Sequence, residues 1–245
     1  MPKPQTERLI IFTRFPEPGK AKTRLIPALG SHGAADLQRR MTERVLHTAG
    51  ELQTKRTLTL EVRYEGGSRE QIAAWLDTGA ILTAQEGGSL DQRMLDAFEI
   101  AFSAGCRRVV IIGTDIPGIT DAIINEAFEQ LRRKDLVLGP ATDGGYYLIG
   151  LRHSALNAAR PLLSGEIAWG TDKVLQTSLE IAADCGLSYS LLVALTDIDR
   201  PEDLPVWEET FSSTSDSGLD RLISVIIPAV DEIDNIEATL LSLQD

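Results

Sequence analysis

Cysteine is scarce in this chain of 245 residues: Cys106 and Cys185 are the only two, and neither belongs to a C-x-x-C pair. Two cysteines cannot frame a disulfide-built fold, so a reducing, cytoplasmic setting is expected. Histidine is equally sparse. His32, His47 and His153 lie far apart, without the paired spacing of a zinc site, which argues against zinc chemistry. No apolar run approaches the roughly 18 residues of a membrane span, and the opening stretch from Met1 to Arg8 lacks the apolar core of a signal peptide. Positive charge is also in short supply. With 24 Lys and Arg against 36 Asp and Glu, the net charge is −12, a field that repels polyphosphate backbones and anionic lipid. Nucleic acid and membrane insertion are therefore excluded as expectations, and an anionic small ligand must meet a local cluster of cations or a metal ion.

What is present is ordinary for a globular protein: 43% hydrophobic and 24% charged residues, enough for one large domain or one domain plus a fragment. Leu9 to Phe12 reads as a strand buried on both faces, as in a parallel sheet covered by helices. Leu37, Met41, Val45, Ala49 and Leu52 recur at helical spacing. Strands are expected at Thr57 to Tyr64 and Ile81 to Ala84, with a short helix from Arg69 to Leu76 between them. Ser89 is placed to cap a helix through Phe102, which Gly105 ends before a strand Val109 to Ile112. Helix Asp121 to Arg133, strand Leu136 to Leu138, an extended Tyr146 to Ile149, helix Asp172 to Ala183 and strand Ser190 to Leu195 complete the order. This alternation predicts an α/β fold, a three-layer α/β/α sandwich with a mostly parallel central sheet. The connection before Tyr147 is too short for a helical crossover, so that strand should run antiparallel.

Ligands in open α/β sheets bind beyond the carboxyl ends of the strands, and the loops there are unusual. Arg14 to Arg24 holds Arg14, Lys20, Lys22 and Arg24 in eleven residues of an acidic chain, with Gly19 shaping the turn, and its backbone N–H groups and cations suit phosphate oxygens. It is neither a Walker A loop nor a Rossmann glycine fingerprint. Gly113-Thr114-Asp115 places a carboxylate past a buried strand, where it can hold Mg²⁺ or merely form a turn. Asp143-Gly144-Gly145-Tyr146-Tyr147 lets backbone approach a ligand, although a hairpin explains the glycines equally well. Asp197 and Asp199 fall on one side of an extended segment before Pro201-Glu202-Asp203. Gly87 and Gly88, followed by Arg93, open a helix in a way that suits a nucleotide or sugar, and Trp169-Gly170-Thr171-Asp172 is a weaker signal of the same kind.

Taken together, Phe12-x-Arg14-x-Pro16-x-Pro18-Gly19-x-x-Lys22-Thr23-Arg24-Leu25, Gly113-Thr114-Asp115-x-Pro117, Asp143 to Gly150 and Asp197-x-Asp199-x-Pro201-Glu202-Asp203-Leu204 resemble the DUF2064 family over about residues 8–205. Those proteins look like GT-A nucleotide-diphospho-sugar transferases, many called radical-SAM/selenodomain-associated or arsenosugar-biosynthesis glycosyltransferases. The resemblance implies that Gly19, Lys20, Lys22 and Arg24 grip nucleotide phosphates and that Asp115, with Asp199, binds Mg²⁺ or Mn²⁺. It also implies a nucleotide or nucleotide sugar and a small-molecule acceptor as partners. This chain departs from the usual sugar-transferase Asp-x-Asp, carrying Gly113-Thr114-Asp115, and Arg200 stands where Thr or Ser commonly precedes Pro.

The expected roles follow. Asp115, Asp143 and Lys22 are the catalytic candidates; Arg14, Gly19, Lys20, Lys22, Arg24, Gly87, Gly88 and Arg93 bind nucleotide; Asp143, Gly144, Gly145, Tyr146 and Trp169 bind substrate. The function expected first is a metal-dependent glycosyltransferase using a nucleoside-diphosphate sugar. Nucleotidylyl transfer from a nucleoside triphosphate to a phosphorylated small molecule is the alternative, since one fold hosts both, and a non-catalytic nucleotide-binding module is the third. Residues 1–211 are expected to form this domain and 212–221, rich in Ser, a linker. Ser224 to Ile236 resembles the opening of a family-2 glycosyltransferase, which makes 222–245 the truncated start of a fused second domain, or else a strand and helix packed on the first.

Overall fold

The computed structural model describes residues 6–164 and 167–212. The chain divides into two units, Met1–Thr210 and Phe211–Asp245. The expected linker begins at Ser212, which closes the last described helix, and the expected second domain lies outside the described residues.

Among the described residues seven strands form one sheet: β1 Glu7–Arg14, β2 Thr59–Glu65, β3 Ile81–Ala84, β4 Arg108–Ile112, β5 Leu136–Pro140, β6 Tyr146–Arg152 and β7 Tyr189–Leu191. Their order is β3-β2-β1-β4-β6-β5-β7. All pairs are parallel except those of β6 with β4 and β5. The antiparallel strand follows residues 141–145 directly, as the short connection predicts. Its start therefore lies at the same end of the sheet as the carboxyl ends of β1 and β4. In β1, Leu9 and Ile11 face one layer while Ile10 faces the other, and all three are fully buried. One layer is packed by α1 (Ile26–Lys55) and α4 (Asp121–Gln130) through Val45, Leu52 and Phe128; the other by α3 (Leu90–Ser103) and α6 (Val174–Asp184) through Phe98 and Ala182. The three-layer α/β/α architecture is thus the one expected. The remaining helices are α2 (Arg69–Leu76), the short α5 (Leu156–Ala159) and α7 (Leu204–Ser212).

Helix α1 starts eleven residues before the periodic stretch that begins at Leu37. Pro27 suits its first turn, and Gly30 leaves helical geometry (φ 67°, ψ 169°), so a short first piece turns before the amphipathic part begins. Ser89 does occupy the N-cap of α3, but its side chain makes no capping bond; Ser68 on α2 and Thr120 on α4 do. A third apolar group brings Leu25 and Ile198, both fully buried, together with Leu37 and Met41 of α1. It fastens the loop after β1 to the segment that carries Asp197 and Asp199.

Candidate functional site

The strand order reverses between β1 and β4, and a cleft of about 650 Å³ opens there at the carboxyl ends. Its floor is polar and tightly tied. The Gln38 amide of α1 sits 3.4, 3.2 and 3.3 Å from the hydroxyls of Thr13, Thr42 and Thr114, and Thr13 and Thr42 lie 2.8 Å apart. All four side chains are buried, so their polar atoms satisfy one another, and the group holds the ends of β1 and β4 at a fixed spacing.

The loop after β1 is anchored by Ala21 and Leu25, both fully buried, with Lys22 between them. Lys22 adopts a left-handed backbone conformation (φ 47°, ψ 47°), rare for a residue with a side chain. Its ammonium donates to Asp115 Oδ1 at 2.8 Å and to the Ile198 carbonyl, and its side chain is only 4% exposed. Thus one buried cation joins the loop after β1, the end of β4 and the 197–199 segment. Arg24 pairs with Asp199. The cation beside Asp199 is therefore Arg24 rather than its sequence neighbour Arg200. Ile198 N–H donates to the Asp115 carbonyl at 2.9 Å, which sets Asp197 and Asp199 on the cleft side of a segment whose apolar residue points into the core. Asp203 accepts from the backbone N–H groups of Asp199 and Arg200 at 3.1 and 2.7 Å, closing the turn that opens α7.

On the opposite wall Arg14 and Arg93 both reach Glu65 at 3.0 Å. Burial raises the Glu65 pKa, but hydrogen bonds from these two arginines outweigh it and hold the carboxyl below its ordinary value. Beyond them the wall becomes apolar: Leu90, Met94, Tyr146, Trp169 and Val174 line it. Tyr146 meets Trp169 edge to face at 5.8 Å between ring centres.

Of the expected site residues, Arg14, Lys20, Lys22, Arg24, Arg93, Asp115, Asp143, Gly145, Tyr146, Trp169 and Asp199 all line this cleft. Gly19, Gly87, Gly88 and Gly144 lie outside its lining. Gly19 supplies a positive-φ turn (84°) ahead of the cationic loop. Gly144 has φ 92°, and a Cβ there would lie 2.2 Å from the Asp172 carbonyl oxygen. Its carbonyl also accepts from Leu175 N–H, so it fits the hairpin against the start of α6. Asp143 accepts from Gly145 N–H at 2.8 Å through Oδ1. Asp197, which the sequence sets on the same side as Asp199 but which is not among the metal ligands expected there, also lines the cleft. Burial, with Asp143, Asp203 and Asp199 nearby, pushes its pKa up to about 6. Its alternation with Asp199 about a core isoleucine was the available signal.

Whether these residues suit a divalent cation can be asked of the donors themselves. Asp115 and Asp199 offer hard carboxylate oxygens in the same cleft, and Asp197 lines it as well. That donor set fits Mg²⁺ or Mn²⁺. Among the described residues no three carboxylate, imidazole or thiolate groups form a closed metal cage, so such an ion would complete its shell from phosphate and water. Among them, too, no helix is long and apolar enough to cross a membrane.

Comparison with known proteins gives the setting of this cleft. The model of a family described as "Uncharacterized protein conserved in bacteria (DUF2064)" matches residues 45–171. A crystal structure from Desulfovibrio desulfuricans G20, described as a "putative nucleotide-diphospho-sugar transferase", is 33% identical, covering 86% of this chain and 90% of that one, with a TM-score of 0.78. The 4-diphosphocytidyl-2C-methyl-D-erythritol synthase of Anaerococcus prevotii DSM 20548 shares 10% identity over 85% of this chain and 96% of its own, with a TM-score of 0.58. The manganese complex of Rv0371c from Mycobacterium tuberculosis H37Rv shares 12% over 84% and 98%, with a TM-score of 0.52. These last two are likenesses of fold alone. No curated protein matches the chain. A family match spanning half the sequence, together with 33% identity to the Desulfovibrio structure over most of both chains, shows that this chain belongs to the DUF2064 family.

Proposed function

We propose that the chain is a nucleotide-dependent, metal-assisted transferase that moves a sugar from a nucleoside-diphosphate donor to a small acceptor. The observation that carries this reading is the meeting of Lys22 and Arg24 with Asp115 and Asp199 in one cleft, where phosphate-binding cations stand beside metal-type carboxylates. The description of the 33% identical structure supports it.

In this reading Arg14, Lys20, Lys22 and Arg24 bind the diphosphate by charge-assisted hydrogen bonds and stabilise it as it departs. Asp115 and Asp199 would hold the divalent ion, which supplies positive charge to the phosphate oxygens when bound. The wall of Leu90, Met94, Tyr146 and Trp169 receives the less polar part of the sugar or acceptor and excludes water from that side. Asp143, fixed through one oxygen on Gly145 N–H, orients a hydroxyl with the other. The buried threonine and glutamine floor keeps the two phosphate-facing strand ends from drifting apart.

A second reading, nucleotidylyl transfer, is favoured by one feature: four cations on a single short loop match a triphosphate's charge better than a diphosphate sugar's. Phosphorus NMR of reaction mixtures separates the two. Release of a nucleoside diphosphate from a nucleotide sugar supports sugar transfer; release of pyrophosphate from a nucleoside triphosphate supports the second reading. A thermal-shift screen of nucleoside di- and triphosphates and nucleotide sugars, with and without Mn²⁺, tests the common ground first, because a bound ligand raises the melting temperature by mass action. Absence of any shift across the screen would refute both.

A further inference from the structure

A second, smaller pocket of about 190 Å³ lies between the β3–β2 edge of the sheet and α3. Arg63 and Thr83 line it from the strands, and Arg93, Asp96, Glu99 and Ile100 from the helix. Arg63 is the register partner of Phe12, which packs on the α3 layer, so the Arg63 side chain points to that layer too. It is only 6% exposed. Its Nε donates to Glu61 Oε1 at 2.8 Å, while Arg8 Nη1 donates to Glu61 Oε2 at 2.9 Å and the Thr83 hydroxyl to Oε1 at 3.0 Å. Two buried guanidiniums thus share one carboxylate, which leaves the floor of the pocket positive. Nη2 of Arg63 is buried and meets no acceptor among the described residues, and the same holds for Nε of Arg93. Buried donors on charged groups are costly to leave unpaired, so both are suited to an oxyanion.

The mouth has the opposite sign. Asp96 and Glu99 are half-buried there and Glu86 is exposed. Asp96 accepts from the Gln92 amide at 2.9 Å, and Glu99 pairs with Arg160 at 2.5 Å. A phosphate dianion would have to pass these carboxylates to reach Arg63, whereas a molecule with a carboxylate at one end and an ammonium beside it matches both charges. We propose that this pocket is a second ligand site, built for the zwitterionic head of a small α-amino acid. The carboxylate takes the open N–H groups of Arg63 and Arg93 in charge-assisted hydrogen bonds, and the ammonium stays among Asp96 and Glu99. Ile100, 53% exposed at the rim, gives a short aliphatic side chain an apolar surface. The site is separate from the nucleotide cleft, because Arg63, Thr83, Asp96 and Ile100 lie outside the cleft lining. It also adjoins that cleft, since Gln85 and Arg93 line both.

The test titrates the full, ¹⁵N-labelled chain at constant ionic strength with alanine, with propionate, which is alanine without its ammonium, and with inorganic phosphate. Backbone amides of Thr83, Ala84 and Ile100 and the side-chain Nε–H signals of Arg63 and Arg93 are followed by NMR. Alanine should shift them saturably in the millimolar range, about tenfold more tightly than propionate or phosphate, as loss of a charge-assisted bond implies. Arg63→Lys keeps a cation for Glu61 but removes the forked donor, and should weaken alanine about tenfold. Asp96→Asn, at the half-buried rim where folding is not at risk, should weaken alanine about threefold and propionate not at all. The inference is overturned if alanine moves none of these signals, if propionate or phosphate binds as tightly as alanine, or if Asp96→Asn and folded Arg63→Lys bind alanine as the wild type does. Each of those results leaves the transferase reading standing, because that reading rests on the other cleft.

Discussion

Asp115 and Glu7 are carboxylates bonded to cations at opposite ends of the sheet, and their environments predict opposite kinds of behaviour. Asp115 is half exposed and salt-bridged to a buried lysine. Asp115→Asn keeps the side-chain shape but leaves that ammonium with only neutral acceptors, so a loss of about 1–3 kcal/mol of stability is expected. Isosteric replacement of a merely turn-forming aspartate would be nearly silent. The decisive measurement is a metal titration of nucleotide affinity, which should be steep in the wild type and flat in the variant. Glu7 is almost fully buried and bonded to Arg56 and Arg108. Burial pushes its pKa up, but the hydrogen bonds from Arg56 and Arg108 prevail and set it below the ordinary 4.5. The folded state then binds this proton less readily than the unfolded one. Its stabilisation is complete above about pH 4.5 and is lost as pH falls through the lower, folded value. Urea unfolding of Glu7→Gln should show a deficit of about 3 kcal/mol at pH 7, the order expected for breaking a buried pair, shrinking in acid. A deficit independent of pH would contradict the ionic account.

At the scale of elements, the two glycine pairs that look alike in sequence behave differently in the fold. A Cβ on Gly87 would meet nothing within 4 Å, and its φ is not positive, whereas one on Gly144 would collide with the Asp172 backbone in a positive-φ turn. Gly87→Ala should be neutral within about 0.5 kcal/mol. Gly144→Ala should cost several times as much, on the order of 2–4 kcal/mol, because backbone cannot yield as a side-chain tip can. Paired thermal melts decide it, and equal costs would refute the packing role of Gly144. The direction of β6 could be read from a connection too short for a crossover, and the cationic loop from its charge against an acidic background. The partnerships could not. Gln38 reads as an ordinary polar helix position until tertiary structure brings Thr13 and Thr114, from two different strands, against it. Lys22 gives no local sign of a left-handed backbone, since that conformation is imposed by contacts with residues far along the chain. The pairing of Arg24 with Asp199 likewise depends on the shared apolar anchor of Leu25 and Ile198.

For the molecule as a whole, the net charge of −12 repels anions at long range, whereas the cleft lining sets Arg14, Lys20, Lys22, Arg24 and Arg93 among its carboxylates, so on the proposed reading a phosphate is drawn in only at short range. The antiparallel placement of β6 has a further consequence, for the order in which the chain reaches its native state. β5 and β6 pair across a five-residue connection, so their contacts form with little loop-closure entropy. The contacts that define the cleft are the most distant ones: Lys22 reaches Ile198 across 176 positions and Arg24 reaches Asp199 across 175. Local pairings should therefore precede them. In stopped-flow refolding, far-UV circular dichroism should recover before the ability to bind nucleotide, and binding recovered in the first phase would contradict this order. On the proposed reading, ligand affinity would then serve as a clock for completion: a newly made chain would capture no substrate until its last long-range closure, and partly folded molecules would not sequester nucleotide.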